Sequence, residues 1–94
     1  MRKILILNGT DNIAVSLIDL ASGELINQED LSITVRSKIP RGHKIATKNI
    51  SKDAGIIKYG ERMGHATSNI EIGEHVHTHN VLGDRLSAEQ VKWK

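Results

Sequence analysis

From Gly42 to Gly73 the chain carries a turn-forming residue at Asn49, Gly55, Gly60, Gly64 and Asn69. Segments that short suit strands and leave no room for a helix of ordinary length. The earlier half reads the same way. Lys3 to Leu7 is expected as a buried strand closed by the turn Asn8-Gly9-Thr10-Asp11. Ile13 to Ile18 alternates as a second strand ending at Ser22-Gly23, and Ser32 to Arg36 is a period-two strand stopped by Pro40 and Gly42. The core material agrees with this reading. With no Phe, one Tyr and one Trp, the interior must be built from Ile, Leu and Val. Isoleucine leads them, and β-branched side chains fit a pleated surface better than a helix. The expected fold is mainly β, in one domain with a modest core.

Residues 1–82 are expected to form this domain and 83–94 a tail of different character. Ser87 followed by Gln90 fits a capping box, so that Ala88 to Lys94 would form a short docking helix anchored by Trp93. Inside the domain, Ala46-Thr47-Lys48-Asn49-Ile50 is echoed by Ala66-Thr67-Ser68-Asn69-Ile70, each after a Gly-His pair. Two related β-turn units packed about a pseudo-twofold would produce that echo.

The absence of cysteine excludes disulfides and thiolate metal sites and points to a cytoplasmic setting. Met1-Arg2-Lys3 is too briefly followed by apolar residues to be a signal peptide, and no stretch reaches membrane-spanning length. Residues 36–62 hold eight Lys or Arg against Asp53 and Glu61, a local charge of +6, leaving −4 for the rest. Such a basic middle attracts an anion or an acidic partner, or is simply a solvated face. With so few aromatics to stack on bases, nucleic acid is not an expected partner.

The chemistry concentrates in Glu74-His75-Val76-His77-Thr78-His79-Asn80. On a strand, residues two apart share a face at about 6.5–7 Å, so His75, His77 and His79 could converge on one divalent ion. Imidazole suits Fe, Zn, Cu or Ni, and oxygen donors such as Glu74 and Asn80 shift the preference towards Fe(II) or Mn(II). The alternatives are hydrogen-bonded surface histidines or a pH sensor. His43 follows a Pro-containing turn well placed to present a side chain, whereas His65 reads as structural. Lys58-Tyr59-Gly60 pairs an ammonium with the only phenol. Together they could hold a carboxylate or move a proton, or Tyr59 could just cap the core.

Four elements in fixed order resemble the SAF-type (antifreeze-like, β-clip) module of the altronate and galactarate dehydratase family. They are Asp11-Asn12-Ile13-Ala14-Val15, Ile39-Pro40-Arg41-Gly42-His43-Lys44-Ile45-Ala46, Lys58-Tyr59-Gly60 and Glu74-His75-Val76-His77-Thr78-His79-Asn80. One departure is Asp53-Ala54, where the family usually has Gly-Glu or Gly-Asp, which bears on turn geometry. The resemblance implies a small subunit working with a large catalytic dehydratase subunit in the cytoplasm. Family members resembling altronate dehydratase take water from a sugar acid to give a 2-keto-3-deoxy acid with Fe(II) or Mn(II). A relative, the sulfolactate sulfo-lyase, has an alpha subunit of similar size and eliminates sulfite. On that pattern His75, His77 and His79 are expected as metal ligands, with His77 and His79 catalytic. His43, Lys58, Tyr59 and Asn80 would hold the acid, Asp11 and Asn12 would shape the pocket rim, and the base would come from the large subunit. The rival is a non-catalytic module that binds a sugar acid or steers assembly. Self-association through edge strands is also open.

Overall fold

The computed structural model describes residues 2–84. Among them there are strands and no helices: β1 (Ile4–Leu5), β2 (Ile13–Ser16), β3 (Leu25–Gln28), β4 (Leu31–Thr34), β5 (Lys44–Ala46), β6 (Gly55–Lys58), β7 (Glu61–Ala66), β8 (His75–Val76) and β9 (Val81–Leu82). The expected tail helix and Trp93 lie outside the described residues. All pairings are antiparallel. They form a four-stranded sheet β1-β2-β5-β8, the hairpin β3-β4 and a three-stranded sheet β6-β7-β9.

One turn is used four times, at residues 21–24, 40–43, 51–54 and 71–74. In each the fourth N–H donates to the first carbonyl, at 3.1, 3.0, 2.9 and 3.0 Å respectively. The third residue is left-handed in each, with φ of +89° at Gly23, +85° at Gly42, +72° at Asp53 and +92° at Gly73, as a type II turn requires. The third N–H then donates to the carbonyl of a facing residue (Val35, Ser16, Ala66 or Ala46), and that residue's own N–H returns to the fourth carbonyl. Asp53 thus occupies a conformation that glycine fills in the other three turns, which accounts for the departure at Asp53-Ala54.

The echo in the sequence is a true structural relation. Ile50 and Ile70 exchange both backbone hydrogen bonds, at 2.8 and 2.7 Å. Asn49 Oδ1 accepts from Ile72 N as Asn69 Oδ1 accepts from Lys52 N, both at 2.8 Å. Leu20 and Ile39 make the same reciprocal bridge, and Asp19 Oδ1 accepts from Arg41 N at 2.8 Å. The fold is therefore two copies of one clip, and the first is too diverged in sequence to be seen by eye.

Each clip has its own core, one around Ile4, Leu20, Ile26, Ile39 and Ile45, the other around Ile13, Ile50, Ile56, Ile70 and Val76. Strands β2 and β5 serve both. Ala14 and Ile45 face the first core while Ile13 and Ala46 face the second, because successive strand side chains point to opposite faces. The first strand is shorter than its apolar run predicts: Leu7 is 63% exposed, while Ile6 packs against the core outside the ladder. Strand β3 was not expected. It is made by the left-handed Glu29 at the hairpin turn (φ +52°).

Candidate functional site

Two copies of the repeated turn deliver the histidines. His43 is the fourth residue of the turn at 40–43, and His75 immediately follows the turn at 71–74. Buried Ser16 fixes the first turn, with Oγ 2.8 Å from the Pro40 carbonyl and 2.9 Å from that of His43. Strands β5 and β8 pair Ile45 with His75 and Lys44 with Val76. That register brings His43 beside the histidine segment.

Strand β8 ends at Val76, and residues 77–80 turn, so the alternation expected to align all three histidines on a strand does not continue. Asn80 makes the turn. Its Oδ1 accepts from His77 N at 2.9 Å and its Nδ2 donates to the His75 carbonyl at 3.0 Å. Its backbone N–H donates to the His77 carbonyl at 3.1 Å. The side chain is buried and both its ends are used within the loop. It holds the histidines in place, and its oxygen is committed to a backbone N–H.

The donor atoms of His43, His75 and His77 all lie within 4.8 Å of one another, and all three residues are half-buried. His43 Nδ1 stands 2.9 Å from His75 Nε2. Cis ligands on an ion with bonds of about 2.1 Å would be about 3 Å apart, so this spacing fits a metal. The rings stack, with planes 12–24° from parallel and centroids of His43 and His77 at 4.3 Å. Nitrogen lone pairs lie in the ring plane, so binding an ion at all three turns at least one ring. His79 is exposed and outside this trio, its ring tilted against His75 at 5.3 Å.

Burial and the neighbouring His79, His43 and His77 push the His75 pKa down to about 4. His77 is also held below its ordinary value, by burial and then by His43, Lys44 and His79. At neutral pH these imidazoles keep free lone pairs, the form that binds a transition-metal ion. No carboxylate joins the group among the described residues. The donor set is all nitrogen, so oxygen ligands of an Fe(II) or Mn(II) site would come from substrate, water or a partner.

A cavity of about 310 Å³ adjoins the trio at His77, rimmed by Lys44 and Lys58 and floored by residues such as Ile13, Ile56 and Val81. Burial and then the charge of Lys58 lower the Lys44 pKa. Lys44 was not among the site residues expected from the sequence. The available signal was its place next to His43 on the strand that pairs with the histidines. Tyr59 is exposed, left-handed at φ +55°, and its ring lies 5.2 Å from the Lys58 ammonium. Asp11 is buried, with Oδ1 accepting from Gly60 N at 2.8 Å. Asn12 Oδ1 accepts from Ile57 N at 2.7 Å and its Nδ2 donates to the Gly55 carbonyl at 2.8 Å. Both residues pin the β6-β7 hairpin, and with it Lys58, against β2. His65 lies apart, its Nδ1 3.4 Å from Asp84 Oδ1.

No helix among the described residues is long and apolar enough to cross a membrane. Residues 2–84 match the family model for the altronate/galactarate dehydratase SAF domain. The chain is 38% identical over 88 residues to altronate dehydratase of Escherichia coli, covering 94% of this chain and 18% of that one. It is 41% identical over 80 residues to altronate dehydratase of Bacillus subtilis, covering 85% of this chain and 16% of the relative. The (2R)-sulfolactate sulfo-lyase subunit alpha of Chromohalobacter salexigens is 38% identical over 67 residues, covering 70% of this chain and 71% of the relative. The chain thus spans under a fifth of the altronate dehydratases it matches, and most of the alpha subunit. It belongs to the altronate/galactarate dehydratase SAF-domain family.

Proposed function

We propose that this chain is the small component of a cytoplasmic hydro-lyase that dehydrates a sugar acid, altronate- or galactarate-like, to a 2-keto-3-deoxy acid. In this reading it works with a large catalytic subunit. The observation that carries the proposal is the convergence of His43, His75 and His77 from two separate turns, in a chain whose relatives are named altronate dehydratase and sulfolactate sulfo-lyase subunit alpha. The 71% coverage of a relative named as a subunit supports the small-subunit role. The same relative makes sulfolactate sulfo-lyase chemistry the alternative substrate assignment.

His43, His75 and His77 would hold Fe(II) or Mn(II), which supplies Lewis acidity for the negative charge that develops when the proton beside the carboxylate leaves. The low proton affinity of His75 keeps that ligand open at neutral pH. His79, exposed beside His75, faces outward to meet substrate or the large subunit. Asn80 holds the loop, and Asp11 and Asn12 hold the hairpin that carries Lys58 to the rim, while the exposed Tyr59 is not among the cavity's lining residues. The general base belongs to the large subunit.

The test is co-expression with a large-subunit candidate and assay of 2-keto acid release from altronate, galactarate and sulfolactate with Fe(II) or Mn(II). Activity in the complex and in neither chain alone is the expected result, and the active substrate names the reaction. A large subunit fully active alone would overturn it. The small share of the altronate dehydratases covered by this chain favours a second reading, a module that binds the acid or steers assembly without taking part in turnover. On that reading histidine substitutions raise KM and leave kcat unchanged.

A further inference from the structure

Lys44 and Lys58 come from different strands, β5 and β6, to the rim of one cavity. Three other cations do have carboxylate partners: Lys3 has Glu24, Arg36 has Glu71 and Arg62 has Asp84. Among the described residues, neither Lys44 nor Lys58 has a carboxylate partner. Burial and the charge of Lys58 both disfavour the Lys44 ammonium, and the two like charges share one cavity. The arrangement is unfavourable by itself and is relieved by an anion placed between them. Ile13, Ile56 and Val81 line the same cavity, and an anion beside them is screened less than one in open water. The volume of about 310 Å³ suits a small molecule better than a peptide segment. His77 lines the same cavity, so an anion there lies against the edge of the histidine trio.

We propose that Lys44 and Lys58 form an acid-group subsite that takes the carboxylate or sulfonate of a small hydroxy acid, with its hydroxylated carbon towards His77. The apolar floor receives the carbon end of the head group, and a longer polyol tail runs outward. The identification of the anion as substrate rests on the lyase reading. The existence of an anion site does not.

The test uses the full chain, free of metal and partner, at low constant ionic strength, followed by NMR signals of the lysine side chains and of His77. D-glycerate, isethionate and neutral glycerol are titrated separately. Either acid is expected to shift Lys44, Lys58 and His77 together; glycerate alone names a carboxylate site, isethionate alone a sulfonate site, and both a general acid-group site. Lys44→Met and Lys58→Met, which keep the aliphatic stem, are each expected to weaken binding roughly tenfold. Lys44→Arg and Lys58→Arg keep the charge and are expected to retain binding, as is Lys52→Met outside the cavity. No response to either acid, an equal response to glycerol, or Met variants that bind within about twofold of the parent would overturn the subsite. Because no turnover is measured, that failure is distinct from failure of the lyase reading.

Discussion

His43 Nδ1 lies 2.9 Å from His75 Nε2, although the two residues are 32 positions apart in the chain. One proton shared between two nitrogens makes this contact, so only one of the two rings can donate at a time. A doubly protonated pair would have no acceptor and two like charges in contact. At least one ring of the pair must therefore be neutral, and burial with its histidine neighbours favours the neutral form of His75.

Stability should fall on mild acidification. The folded-state pKa of His75 is about 4, below its ordinary 6.5, so the unfolded chain binds more protons between those values. The His75 contribution is fully present above pH 6.5 and is lost as pH falls towards 4. His77 acts in the same direction. Urea midpoints between pH 7 and pH 5 should decline for the parent chain and decline less for His75→Gln. Identical pH slopes would show that the cluster does not resist protonation.

Asn80→Ala should loosen the histidine loop. It strips the partner from His77 N–H and from the His75 carbonyl, and a buried group left unsatisfied costs about 1–3 kcal/mol. Denaturant unfolding should show that loss, and amide exchange should accelerate at residues 77–80 ahead of β5.

The four turns predict opposite outcomes for two glycine exchanges. Asp53→Gly relieves a left-handed aspartate (φ +72°) and should raise stability by up to about 1 kcal/mol, a few degrees in Tm. Gly73→Ala would place a Cβ 2.1 Å from the Thr34 carbonyl oxygen at φ +92°, where backbone must move, and should destabilise severely. Thermal melts of the two variants check both signs.

Much of the fold was legible because isoleucine-rich segments cut by Gly and Asn leave little besides short strands. The Ala-Thr-x-Asn-Ile echo marked one clip, since Asn49 and Asn69 perform the same hydrogen bond. The other clip uses Asp19 and Leu20 for those roles and carries no matching string. Within the site, His75 and His77 were readable from local spacing. The place of His43 in the trio was not, because it depends on the β5-β8 register and on a turn held by Ser16. The loop closed by Asn80 likewise breaks the strand alternation that would have aligned His79, and periodicity alone cannot show a side chain closing its own turn.

The most direct measurement is the metal content and turnover of the purified complex carrying His43→Ala, with His65→Ala as the control outside the site. The account predicts that His43→Ala loses bound metal and lowers kcat roughly a hundredfold, while His65→Ala stays near the parent in both. If His43→Ala retained full metal and full turnover, the trio would not be the functional centre.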